Sequence, residues 1–158
     1  MRVAVLTVST SRAEGGAKDE SGEKLVEMAR GLGADEVERE VLADDRDLIE
    51  SRLRHWTDEE DCDLILTTGG TGFAPTDVTP EATRSVIERE APGIGEAIRT
   101  ASRDHTPNWM LSRATAGIRG STLIVNFPGN PRSIAEAGPA IATVLPHALE
   151  LIAGKHPH

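Results

Sequence analysis

The sequence predicts an α/β domain, a three-layer αβα sandwich built on a mostly parallel sheet. Three short runs carry that prediction: "VAVLTV" at 3–8, "DLILTT" at 63–68 and "LIVNF" at 123–127. Each is too short for a helix and apolar on both faces, as a strand covered by helices on either side must be. Segments with helical spacing separate them, giving the alternation that a parallel sheet requires. The polar, glycine-rich and acidic stretches fall directly after the strands.

In chain order, the strand at 3–8 is followed by a polar loop, "STSRAEGGAKDESG". Leu25, Met28, Ala29 and Leu32 mark a helix over 21–32, with Gly31 and Gly33 as its stop. "EVEREV" at 36–41 alternates, the pattern of an edge strand. Asp44 or Asp45 then caps a helix carrying Leu48, Ile49, Leu53 and Trp56. After the strand at 63–68, Thr79-Pro80-Glu81 combines a hydroxyl cap, a first-turn proline and an acid near the positive helix end. That predicts a helix over 80–90, and a second over 94–103 after a break at Pro92-Gly93. Gly120 lies between two extended pieces and predicts a hairpin. Beyond the strand at 123–127 and "PGNPRS", the chain is expected to be helical to about residue 153, kinked or broken near Pro139 and Pro146. One domain over 1–153 with a frayed tail at 154–158 is the expectation.

Composition narrows the function classes. At 158 residues, 38% hydrophobic and 27% charged, the chain suits one soluble domain that buries its core without staples. The lone Cys62 excludes an internal disulfide and a cysteine-rich zinc site, and at the start of a core strand it serves as a small apolar residue. A net charge of −9 weighs against nucleic acid and anionic membrane surfaces, and two Trp, two Phe and no Tyr leave no row of rings for stacking on bases. No stretch approaches the roughly 18 apolar residues of a membrane helix, and "MRVAVLTVSTSR" suits a strand better than a signal peptide. A cytoplasmic location is expected. The histidines (His55, His105, His147, His156 and His158) offer no pair at helical metal-ligand spacing.

In an open parallel sheet, ligands sit beyond the carboxyl ends of the strands. Those ends lead into "STSR" (9–12), "LADD" (42–45), "GGTG" (69–72) and "PGNP" (128–131), which should therefore meet on one edge. Two readings of "GGTG" stand: a tight strand-to-helix turn, or a run of amides and hydroxyls that cradles phosphate. It is neither a P-loop nor a dinucleotide fingerprint, since no Gly-Lys-Ser/Thr follows and Pro75 takes the place of the third glycine. Asp77 is either an acid favoured by the following helix or a carboxylate that faces bound phosphates through Mg²⁺. Asp44 and Asp45 raise the same pair of readings, one of them being the N-cap. Ser112-Arg113 could hold a phosphate or a polar ring edge.

"TTGGTG", "DVTPEAT", "PGIGEAIR" and "LSRATAGIRGSTLIVNFPGNPRS", in that order, resemble the MoaB/MogA family of molybdenum cofactor biosynthesis proteins from the first strand to about Ser133. The molybdenum-insertion enzymes and the competence-damage-type nucleotide hydrolases share "TTGGTG" and "PG-P", but the short single domain favours MoaB/MogA. The resemblance implies a molybdopterin-binding fold and, in active members, adenylylation of molybdopterin with Mg-ATP and release of pyrophosphate. Some MoaB-type members lack that activity, so a molybdopterin carrier or scaffold is the alternative. Carried over by position, the family's two functional aspartates fall on Asp44 and Asp77, with a one-residue register open between Asp44 and Asp45. Gly69, Gly70, Thr71 and Gly72 fall in the nucleotide and pterin phosphate region. Ser112 matches the serine near the pterin, and Pro128, Gly129 and Pro131 match the "PG-P" turn. Arg113 and Arg12 would then stand on the pterin side. The resemblance also implies a homotrimer or hexamer and delivery of product to a molybdenum-insertion protein.

Overall fold

The structure is a computed structural model and describes residues 1–155. Strands β1 (Arg2–Val8), β2 (Glu36–Leu42), β3 (Leu64–Thr68), β4 (Arg89–Glu90), β5 (Ala116–Arg119) and β6 (Thr122–Phe127) form one sheet in the order β2-β1-β3-β6-β5-β4. β2, β1, β3 and β6 run parallel, and β5 is antiparallel to β6 and to β4. The expected mostly parallel sheet is therefore present, with β2 on its edge.

The side chains of each central strand divide between two cores, as the two-residue repeat of a strand dictates. Val3, Val5, Leu64, Leu66, Leu123 and Val125 face one side, where α2 (Glu20–Gly31), α5 (Pro92–Ala101), α6 (Pro131–Ala142) and α7 (Leu145–Ile152) supply Leu25, Ile98, Ile134 and Leu145. Ala4, Leu6, Ile65 and Ile124 face the other, against Ile49, Leu53 and Trp56 of α3 (Arg46–Asp58) and Ala82 and Val86 of α4 (Thr79–Val86). These are the three layers. Cys62 is buried, and burial pushes its thiol up to about 11, the opposite of an activated nucleophile.

Several boundaries differ from the sequence expectation. The polar loop after β1 contains a short helix, α1 (Thr10–Ala13), capped by Ser9. Thr79 is not a cap: Val78 occupies that position and Thr79 is the first helical residue. α4 ends at Val86 and does not continue to 90, because Ile87 turns extended and the Glu88 N–H pairs with the Ile118 carbonyl at 2.9 Å. Pairing with the hairpin thus overrides helix propensity, and Gly117 permits it, since a Cβ there would lie 2.8 Å from the Arg89 carbonyl. Pro92 starts α5 and does not break a helix, as suits a residue without an N–H. Pro139 lies inside a continuous α6, and the interruption falls at Thr143–Val144, before Pro146 in the first turn of α7. Gly120 (φ +53) makes the β5–β6 turn as predicted. Gly154 and Lys155 donate to the Leu151 and Glu150 carbonyls and close α7; the rest of the expected frayed tail lies outside the described residues.

Candidate functional site

The chain leaves β1 towards β2 on one side of the sheet and returns to β3 on the other, so the strand order reverses at β1. At such a point two neighbouring strand ends send their loops apart and leave a crevice. The loop after β3, residues 69–72, stands in it. Gly69 (φ +94) and Gly70 (φ +66) are consecutive left-handed residues. At Gly69 a Cβ would also run into the Val8 carbonyl. The Gly69 N–H is tied to the Phe127 carbonyl at 3.2 Å. The next three amides, those of Gly70, Thr71 and Gly72, make no hydrogen bond among the described residues. Left-handed backbone followed by free N–H groups is the geometry of an anion nest.

Two carboxylates flank those amides. Asp45 N-caps α3 by accepting from the Leu48 N–H at 3.1 Å, which leaves the Asp44 carboxylate free of the cap. Asp44 Oδ2 accepts from the Thr10 amide at 3.1 Å and the Thr10 hydroxyl at 2.8 Å, and its Oδ1 lies 3.3 Å from the Cβ position that Gly70 lacks. Asp77 Oδ2 accepts from the Ala74 N–H at 3.0 Å and lies 2.8 Å from the missing Cβ of Gly72. The candidate residues Asp44, Asp77, Gly69, Gly70, Thr71 and Gly72 therefore come together around one loop.

Arg113 underpins that loop. Its N–H donates to the Thr71 carbonyl at 2.8 Å. Its guanidinium donates to the Gly72 carbonyl at 2.9 Å, the Asp77 carbonyl at 2.8 Å and the Glu81 carboxylate. Burial works to raise the Glu81 carboxyl, but the hydrogen bond and charge of Arg113 prevail and hold it below its usual range.

The "PG-P" segment packs alongside. The Cβ position of Gly129 is 3.3 Å from the Gly69 Cα, and the Pro128 carbonyl accepts from the Thr68 hydroxyl at 2.8 Å. A cleft of about 640 Å³ opens next to it, lined by Ser112, Pro128, Trp109, Asn130 and Arg132 among others. Pro131 is the first residue of α6, whose amino end carries the Asn130 cap and no acid in its first turn, so an anion is favoured there. Arg113 borders a smaller cavity of about 350 Å³ with Arg84 and Arg99. Arg12 stays within its own loop, donating to the Lys18 carbonyl at 3.3 Å.

Sequence reasoning passed over Asn126. Fully buried at the end of β6, it donates to the Thr67 and Thr83 hydroxyls at 2.9 and 3.0 Å and accepts from the Thr115 N–H at 3.4 Å. A lone amide inside an otherwise apolar strand was the available signal.

The fold and site define a doubly wound α/β domain with a glycine-rich loop of free amides and two carboxylates at its strand-order switch point. The chain belongs to the family described as "Probable molybdopterin binding domain", which it matches over residues 4–147. It is 42% identical over 158 residues to a molybdopterin adenylyltransferase of Helicobacter pylori, covering 99% of this chain and 90% of that protein. To the molybdopterin adenylyltransferase of Escherichia coli K12 it is 40% identical over 139 residues, 86% and 71% of the two chains. The crystal structure of the molybdopterin biosynthesis enzyme MoaB from Thermus thermophilus superposes with a TM-score of 0.87 at 45% identity, covering 98% and 97%. The Mog protein of Mycobacterium ulcerans gives 0.90 at 38% identity and 98% of both chains. The expected MoaB/MogA family membership and fold are borne out.

Proposed function

We propose that this chain acts in molybdenum cofactor biosynthesis by transferring an adenylyl group from ATP to molybdopterin, the activity its H. pylori and E. coli relatives are named for. One observation carries the reading: three free amides at Gly70–Gly72, flanked by the carboxylates of Asp44 and Asp77. In the proposed reaction an oxygen of the terminal phosphate of molybdopterin attacks the α-phosphorus of ATP. A new P–O bond forms, the bond to the bridging oxygen breaks, and pyrophosphate leaves with the electron pair.

The attacking group is already an anion, so no strong base is needed. The protein's work is to align two anions and offset their repulsion. Amides of Gly70, Thr71 and Gly72 would receive phosphate oxygens. Asp44, oriented by Thr10, and Asp77, oriented by the Ala74 amide, fit Mg²⁺: both are hard oxygen donors beside a phosphate nest, and Mg²⁺ is commonly held by one or two carboxylates plus substrate phosphates. When bound, the ion neutralises phosphate charge. The cleft at Ser112, Pro128, Gly129 and Pro131 would take the pterin, with Arg113 shaping its border with the phosphate loop. The same reading includes a cytoplasmic homotrimer or hexamer that hands its product to a molybdenum-insertion protein. No helix among the described residues is long and apolar enough to cross a membrane.

The test is to incubate the protein with molybdopterin, Mg²⁺ and ATP and to follow pyrophosphate. Release that requires the pterin is the expected result. Phosphate or pyrophosphate release with ATP alone identifies a hydrolase, and pterin binding without release identifies a carrier.

A further inference from the structure

Thr79 is fully buried at the first position of α4. Its amide donates to the Gly70 carbonyl at 3.1 Å, but its Oγ1 has no hydrogen-bond partner among the described residues. A buried hydroxyl without a partner lowers stability, so its retention calls for a reason. The hydroxyl faces the site. A Cβ on Gly70 would collide with Thr79 Oγ1, and the same Cβ would come within 3.3 Å of Asp44 Oδ1. The hydroxyl and the carboxylate thus face each other across the side chain that Gly70 lacks. Asp44 Oδ2 is held by Thr10, whereas Oδ1 accepts no hydrogen bond among the described residues.

We propose that Thr79 is a positioning residue of the phosphate site: its hydroxyl donates to Asp44 Oδ1 when a phosphate-bearing ligand occupies the loop at 69–72. Thr10 grips the carboxylate from one side and Thr79 completes the grip from the other. The inference rests on the reading of Asp44 as the carboxylate beside the bound phosphates. It also explains why position 70 is glycine, since any side chain would separate donor from acceptor. Without ligand the hydroxyl makes no hydrogen bond among the described residues, and its purpose lies in the loaded site.

The sign of the stability change separates this role from a structural one. Thr79→Val is isosteric and removes only the hydroxyl. We expect its thermal midpoint without ligand to equal or exceed that of the wild type, because an unsatisfied polar group is replaced by an apolar one. Titration calorimetry with α,β-methylene-ATP and Mg²⁺ should show affinity weakened about tenfold, the scale of a hydrogen bond to a charged group. Thr79→Ser, which restores the hydroxyl, should bind within about twofold of the wild type. Unchanged affinity in Thr79→Val overturns the inference, as does a midpoint several degrees lower or a Thr79→Ser protein that binds as weakly as Thr79→Val. If the wild type itself fails to bind the probe, the reading of the phosphate site falls and this inference with it.

Discussion

The guanidinium of Arg113 donates to the main-chain carbonyl of Asp77 at 2.8 Å, across 36 residues of sequence. The same group reaches the Gly72 carbonyl at 2.9 Å and the Glu81 carboxylate, so one side chain holds both ends of the segment that presents Asp77. A planar fork spreads its donors over a rigid frame that spans separated acceptors, whereas an ammonium gathers its three donors on one nitrogen. Arg113→Lys should therefore lower the unfolding free energy by about 1–3 kcal/mol. The nucleotide KM should rise as the loop loses its shape. Urea titration with an unchanged m-value, together with steady-state kinetics, checks both.

Asp44 and Asp45 are adjacent acids with different tasks, and their variants should separate cleanly. Asp45→Ala removes the α3 cap and should cost about 1 kcal/mol of stability with turnover retained. Asp44→Asn should keep the fold and lower the rate of pyrophosphate release by about 100-fold or more, the scale of losing a group that stabilises transferring phosphate. Thermal melts and a pyrophosphate assay on both proteins decide the assignment. Equal loss of turnover in the two would refute it.

Gly69 and Gly120 both have positive φ, but only Gly69 is crowded. At Gly120 nothing lies within 4 Å of a built Cβ, so Gly120→Ala should cost only backbone strain, about 1 kcal/mol. At Gly69 the obstacle is the Val8 carbonyl, main chain in a central strand that cannot move aside. Gly69→Ala should cost about 3 kcal/mol or more, strain plus overpacking. Comparison of the two denaturation midpoints tests the difference.

Asp19 caps α2 and joins it to the sheet, accepting from Arg39 at 2.8 Å, the Thr7 hydroxyl at 2.8 Å and the Gly22 N–H at 3.0 Å. Burial works to raise this carboxyl, and the three donors together outweigh it and hold it below its ordinary 3.8. The unfolded chain then takes up the proton first as pH falls. The stabilisation is complete above the ordinary value and disappears as pH drops through the lower folded one. Wild-type stability should fall from about pH 4 downward, and Asp19→Asn, less stable at neutrality, should show a shallower fall over the same range. Identical slopes in acid urea titrations would exclude Asp19 as the cause.

Much of the molecule was legible from local pattern. The largely apolar runs at 3–8, 63–68 and 123–127 are the buried parallel strands β1, β3 and β6, because a strand between two helical layers has no solvent-facing side. The rule that ligands lie beyond the strand ends brings "LADD", "GGTG" and "PGNP" to one edge from the sequence alone. The end of α4 was not legible, because Val86 to Glu90 has no breaker of its own. What stops the helix is the edge of β5, offering backbone partners from 30 residues away.

The sequence by itself determined the layers, the parallel sheet, the free-backbone loop at 69–72 and the two acidic loops beside it, since each depends on periodicity or on a residue's own conformational range. Only the tertiary structure decided which acid caps α3 and which is left beside the loop at 69–72. Asp44 and Asp45 have equal capping propensity, and it is the Asp45 carboxylate that meets the Leu48 amide while Asp44 is held by Thr10 from the loop after β1. Tertiary packing likewise set the Thr79 hydroxyl opposite Asp44, and Arg113 beneath Gly72 and Asp77. Those relationships join residues more than 30 positions apart, and no local preference encodes them. They arise when burial of the two apolar faces fixes the strand ends side by side.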